Sequence, residues 1–249
     1  MAFGARRFLK EWQVGDGREA ALERFVLANA REGSIDAAIE AIDRFAYRKA
    51  FLVNVGDEKG AILEDAIART GPRLILELGT YCGYSALRCI RGAPGSARVV
   101  TLELNPANAA IARRILAHAG IASRVEVIVG ALGDGGTTVE ALRARYGVDV
   151  GGLDFVFIDH AKDAYLSDLE ILLRERWLRE GAVVFADNLK TPGAPDYLRF
   201  MRENEGKLFR TREHATHLEY QRIFRDVMLE SKFVGGDGGG WPSLVPATG

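Results

Sequence analysis

Cysteine is scarce in this chain: Cys82 and Cys89 are the only two among 249 residues. Two thiols cannot build a disulfide framework or the closed four-ligand site of structural zinc, and so low a count suits a reducing compartment. An excess of either charge is missing too. With 33 basic against 34 acidic residues the net charge is -1, so bulk electrostatics recruits neither nucleic acid nor an anionic membrane. No apolar run approaches the roughly 18 residues of a membrane span, and the basic start at Arg6, Arg7 and Lys10 lacks the apolar stretch of a signal peptide. These absences predict a soluble, cytoplasmic protein that works on small molecules, with no nucleic acid and no membrane as partner.

What is present is 48% hydrophobic and 27% charged residues, enough for one large α/β domain with a substantial core. Residues 1–17 read as a loosely ordered lead-in, 18–234 as a single domain, and the glycine-rich stretch within 235–249 as a flexible tail. Apolar residues recur at helical spacing through Ala21, Phe25 and Ala28 and again through Ile35, Ile39, Ile42 and Phe45, and a third helix is expected over 58–69. Strands then alternate with helices: strand 74–78, helix from Gly83, strand 99–103, helix 106–119, strand 125–129, helix 137–146, strand 153–158 and strand 182–186. Such alternation implies crossover units and a parallel sheet. A helix over 195–205 and two extended segments at 218–225 and 227–234, expected to form an antiparallel hairpin, complete the pattern.

Two strand ends carry oxygen ligands. Asp159 closes the apolar run Leu153 to Ile158, and Asp187 with Asn188 closes Ala182 to Ala186. Ligands bind outside the carboxyl ends of strands in open α/β sheets, and three side-chain oxygens suit Mg²⁺ or Ca²⁺ better than zinc. The first strand runs into Gly79-Thr80-Tyr81-Cys82-Gly83, a glycine-bearing turn that opens a helix and brings backbone close to a ligand. It lacks the middle glycine of G-x-G-x-x-G that admits a pyrophosphate, which disfavours NAD. Glu103 ends the second strand, where an acid accepts hydrogen bonds from ribose hydroxyls. The pair predicts a site for a nucleoside without phosphates, S-adenosylmethionine being the common one.

Four blocks make the chain similar to the catechol O-methyltransferase family over most of residues 20–233: Asn54 to Gly60, Leu76 to Ser85, Phe155 to Asp163, and Ala186-Asp187-Asn188 followed by Pro192 to Asp196. The resemblance implies a Rossmann-like methyltransferase sheet of seven strands, mostly parallel with one antiparallel, and helices on both faces. It implies S-adenosylmethionine as donor, Mg²⁺ as metal, a catechol as acceptor, and a monomer or homodimer. By match to the family's motifs, the donor site would be lined by Val55, Glu77, Gly79, Tyr81, Ser85 and Glu103, then by Gly130, Ala131, Leu132, Asp159 and His160. Asp159, Asp187 and Asn188 would hold Mg²⁺. Lys162 and Glu219 would be catalytic, and with Phe51, Val53, Asn188 and Pro192 would surround the acceptor. The chain departs from the animal members where Ala161 and Phe51 each replace a tryptophan, Val53 a methionine, and Leu132-Gly133 a serine-glutamine pair.

The chemistry these residues predict is an in-line methyl transfer to a hydroxyl whose pKa, near ~10 for a phenol, falls on metal chelation. Lys162 is expected to take the proton as general base and Glu219 to accept a hydrogen bond from the second hydroxyl. The alternative acceptor is a bulkier phenylpropanoid, flavonoid or other vicinal diol. A nicotinamide oxidoreductase and a non-catalytic adenosyl-binding module are the readings from other classes.

Overall fold

The computed structural model describes residues 15–235, so the expected lead-in (but for residues 15–17) and the expected tail (but for Gly235) lie outside the described residues. Three helices come first: α1 (Arg18–Asn29), α2 (Ile35–Arg48) and α3 (Gly56–Thr70). The Ser34 side chain caps α2 by accepting from Ala37 N, and Gly71, at φ 59, ends α3 in the left-handed conformation that glycine adopts without a Cβ penalty. The amphipathic stripe of α2 buries Ile39, Ile42 and Phe45 as expected. That of α1 is displaced by a residue: Leu22 and Val26 are buried, whereas Ala21 and Phe25 only flank the core and Ala28 is exposed.

Alternation follows: β1 (Leu74–Leu78), α4 (Tyr84–Gly92), β2 (Arg98–Glu103), α5 (Pro106–His118), β3 (Val125–Val129), α6 (Thr137–Tyr146), β4 (Leu153–Ile158), α7 (Tyr165–Arg174) and β5 (Leu178–Ala186). The chain closes with α8 (Pro195–Glu203), β6 (Phe209–His217) and β7 (Arg225–Phe233). Cys82 sits in the turn before α4 and not on the helix with Cys89; both are buried free thiols. Among the described residues no helix is long and apolar enough to cross a membrane.

The seven strands form one sheet of order β3-β2-β1-β4-β5-β7-β6, with β7 antiparallel to both neighbours. Its pleat sends alternate residues to opposite faces. Ile75, Val99, Phe155 and Phe185 pack with α1 to α5, and Leu76, Val100, Val156 and Val184 pack with α6 to α8. Strands covered on both faces read as continuous apolar runs, which is why β4 is buried along its whole length.

The hairpin is real but its first arm is misplaced by the sequence pattern. Residues 218–224 form the loop, and β6 occupies Phe209–His217. As an edge strand β6 has a polar composition, Phe-Arg-Thr-Arg-Glu-His-Ala-Thr-His, with only Phe209 and Thr216 buried, so apolar alternation is absent from it. The apolar residues that mimic a strand, Ile223 at 82% exposure and Phe224 at 61%, are in the loop.

Register decides where the loops emerge. Leu78 pairs with Leu102 and Ile158, and Ile158 pairs with Ala186. Gly79, Glu103, Asp159 and Asp187 therefore leave the sheet side by side. Because β7 runs antiparallel and Ala186 pairs with Leu229, the start of β7 at Asp226 reaches that same edge, as does the preceding loop that carries Glu219.

Candidate active site

A cleft of about 550 Å³ opens along this edge, over the switch between β1 and β4 where strand order reverses. At one end it is lined by Gly79, Tyr81, Ser85 and Glu103 from the first two strand ends and by Gly130, Ala131 and Leu132 after β3. Asp159, His160 and Lys162 line the middle, and Val53, Asn188 and Glu219 the other end. Glu77 and Asp187, each 0% exposed, lie beneath the wall. Val55 borders a neighbouring cavity that shares Glu219 with the cleft. Phe51 (37% exposed) and Pro192 are not on the cleft wall.

At the first end Glu103 accepts from Tyr81 N at 2.7 Å and from Asn105 N at 2.8 Å, so its carboxylate is fixed by backbone donors while burial raises its pKa. Tyr81 has a φ of 48°, a left-handed backbone that is costly for an aromatic residue, and its hydroxyl donates to Glu19 Oε1 at 2.9 Å. Gly79, at φ 103°, is required for a local reason: a Cβ there would stand 2.3 Å from the Asp159 carbonyl oxygen. The close approach that the glycine permits is therefore to the β4 loop, which clamps the two strand ends together. Thr80, Leu104 and Asp134 also line this end and were not expected; Leu104, 71% exposed beside Glu103, offers an apolar face.

In the middle, Lys162 Nζ donates to Asp159 Oδ1 at 2.9 Å and to the Tyr165 hydroxyl at 2.6 Å. Tyr165 in turn donates to the Asp187 carbonyl at 3.1 Å, so the lysine is tied to both strand ends. The His160 ring bonds Asp168 Oδ2 at 2.9 Å through Nε2 and stacks on Tyr165 with centroids 5.2 Å apart. Its Nδ1 is buried without a partner.

The far end holds a buried polar cluster. Asp187 Oδ1 accepts from Asn188 N at 2.6 Å and from Lys59 Nζ at 2.8 Å, whereas Asp187 Oδ2 is buried with no hydrogen-bond partner. Burial, together with the charges of Asp159 and Glu219, outweighs Lys59 and pushes the Asp187 carboxyl up to about 7. Asn188 has a φ of 54°, which asparagine tolerates better than most residues, and its Nδ2 donates to Glu219 Oε1 and Asp226 Oδ2, both at 2.9 Å. With the amide nitrogen engaged there, the amide oxygen faces away from those carboxylates. Lys59, 1% exposed, loses solvation that favours its charge, but Asp187, Glu219 and Asp226 more than restore it and hold the ammonium above the usual lysine range.

An orphaned, buried carboxylate oxygen is costly unless something cationic meets it. Asp187 Oδ2, Asp159 and the Asn188 amide oxygen could serve as donors to a hard divalent ion, which takes oxygen ligands. Among the described residues no cluster of three or more His, Cys, Asp or Glu is placed to hold a metal, so this set depends on the amide as its third donor. Lys59 and Asp226 were not anticipated as site residues. Lys59 sits inside a quoted motif but reads as an ordinary helical lysine, and Asp226 reads as a strand-end carboxylate.

Residues 32–195 match the family model described as O-methyltransferase. A probable O-methyltransferase of Mycobacterium tuberculosis is 53% identical over 235 residues, covering 94% of this chain and 100% of that protein. Catechol O-methyltransferase of Mus musculus is 40% identical over 210 residues, covering 84% of this chain and 77% of its own length. Among solved structures, the O-methyltransferase TomG from Streptomyces achromogenes, in complex with SAM, superposes with a TM-score of 0.64 at 24% identity, covering 79% of this chain and 89% of that one. An O-methyltransferase from Bacillus cereus in complex with SAH gives 0.62 at 21% identity, covering 94% and 97%. Both share the fold described above.

Proposed function

The chain belongs to the O-methyltransferase family, and from that premise we propose that it methylates one hydroxyl of a catechol, with S-adenosylmethionine as donor and Mg²⁺ as metal. The observation that carries the metal and acceptor reading is Asp187 Oδ2, buried and without a partner at the β5 end, in a cleft that also presents Asp159, Asn188, Lys162 and Glu219. The 40% identity to a catechol O-methyltransferase supports it.

Asp159, Asp187 and Asn188 are the residues that would hold Mg²⁺. Bound there, the ion would supply Lewis-acid polarisation of two vicinal hydroxyls and lower the pKa of the reacting one. The chain's own residues then divide the work. Glu103, Tyr81 and Ser85 orient the donor's nucleoside and amino-acid ends, with Leu104 under the base. Lys162, held by Asp159 and Tyr165, receives the hydroxyl proton when it stands as the neutral amine, and Glu219 accepts a hydrogen bond from the second hydroxyl. The methyl group passes from sulfur to the oxygen that gave its proton to Lys162, the S–C bonding pair staying on sulfur. Holding the reactants at attack distance supplies much of the acceleration.

A bulkier vicinal diol as acceptor is the second reading, favoured by the exposed Ala161, a small side chain on the cleft wall. Incubation with methyl-labelled S-adenosylmethionine, Mg²⁺ and a panel from simple catechols to flavonoids tests both. Label is expected on catechols and is expected to vanish with EDTA. Label on none of the diols, or transfer indifferent to EDTA, overturns the reading.

A further inference from the structure

Lys59 has no part in the roles set out above, yet it is the residue around which the far end of the site is organised. Its Nζ stands 2.8 Å from Asp187 Oδ1, 2.9 Å from Glu219 Oε1 and 2.7 Å from Asp226 Oδ2. Asn188 Nδ2 reinforces it on the same Glu219 and Asp226 oxygens. The other Asp226 oxygen accepts from Lys190 N and Thr191 N, both at 3.1 Å. The approach of α3 is close: a Cβ at Gly56 would lie 3.3 Å from Glu219 Cα, which places Lys59, one helical turn on, against the carboxylates.

The consequence concerns the metal reading, on which this inference rests. Asp159 and Asp187 are the two carboxylates meant to ligate a divalent ion, and Glu219 and Asp226 are two more within the same buried cluster. Left unrestrained, they would be drawn to a divalent cation by the same Coulomb attraction that binds Asp187. Each would then occupy a coordination position that a vicinal diol needs. We propose that Lys59 is a positioning residue that holds the surplus carboxylates of Glu219 and Asp226 off the metal, and fixes Asp187 to present a single oxygen, so that coordination positions stay open for the acceptor's two hydroxyls.

The test uses the full chain and Mn²⁺ as probe, with free Mn²⁺ read by electron paramagnetic resonance, alongside kcat and KM for catechol. Lys59→Met is expected to bind Mn²⁺ about tenfold more tightly, because a cation is removed and carboxylates are released, while KM for catechol rises about tenfold or more. Lys59→Arg, which keeps the charge, is expected to restore Mn²⁺ affinity to within about threefold of wild type. A merely structural lysine would lower Tm and leave the Mn²⁺ affinity of the folded variant where it was; that result, or weaker binding, overturns the proposal. If Lys59→Met does not fold, the pair Lys59→Met with Asp226→Asn removes one charge of each sign, and absence of tighter Mn²⁺ binding there overturns it equally. Should wild type itself bind no Mn²⁺, the metal reading falls first; wild-type binding with an unchanged variant sinks the role of Lys59 alone.

Discussion

Glu77 shows how a single residue in this site is balanced against its surroundings. It lies on β1 with no exposure and accepts from the Thr101 hydroxyl at 2.5 Å, while its Oε1 is buried without a partner. Burial pushes its carboxyl up to about 7 against the lowering effect of Ser85 and Thr101, and the nearby charges of Asp159 and Glu103 add to the rise. A folded pKa above the unfolded value, near 4.3 for glutamate, means that the folded state holds the proton more tightly. The stability this contributes is present below about pH 4.3 and is lost as pH rises through about 7. Glu77→Gln is therefore expected to gain several degrees of Tm relative to wild type between pH 5 and pH 8 in the ligand-free protein; a difference in Tm that stays flat across that window contradicts the assignment. The residues legible from sequence were those whose position is locally marked. Asp159, Asp187 and Asn188 each follow an apolar strand run, and Glu103 ends another. Lys59 and Asp226 carry no such mark, since a lysine inside a helix and an aspartate at a strand start are solvated in most proteins.

At the scale of elements, the apolar strand runs are legible in the sequence, whereas the polar edge strand, the inward row of α1 and the first four residues of β5 are not. The limits of β1 and β4 agree with the pattern because those strands are buried almost throughout, and those of β3 and α6 agree although each buries only part of its length, Val125 and Val127 in the strand and Val139 and Leu142 in the helix. The β6 arm was placed too late because an edge strand in contact with water need not alternate, and the apolar residues that drew the reading to 218–225 belong to a loop. This has a measurable consequence. Ile223→Ser and Phe224→Ser are each expected to change unfolding free energy by no more than about 0.5 kcal/mol in urea titration, as exposed substitutions do. Had those side chains been in a packed hairpin, truncating each would cost roughly 2 kcal/mol or more. The displaced stripe of α1 has a related origin: the helix lies on one side of α2 and α5, and which of its adjacent rows faces inward is set by that packing and not by its own weakly sorted sequence.

For the whole molecule, the deciding feature is the reversal of strand order between β1 and β4, which opens the cleft at the carboxyl edge. A ligand that bridges it should stabilise the fold as a unit. S-adenosylhomocysteine at 100-fold over its Kd is expected to add about 2.7 kcal/mol, which for a chain of this size raises Tm by roughly 5 °C or more. NAD is expected to leave Tm unchanged, and the reverse pattern in thermal-shift measurements would restore the oxidoreductase reading. What the sequence determined by itself is the succession of helices and parallel strands and the acids at their ends, because apolar period and strand termination are properties of a few neighbouring residues. What only the tertiary structure decided is which of those ends meet. The insertion of β7 beside β5 and the arrival of Lys59 among Asp187, Glu219 and Asp226 join groups up to 167 residues apart. Their attraction exists only once the sheet has brought them out of water and within bonding distance, and no local pattern records it.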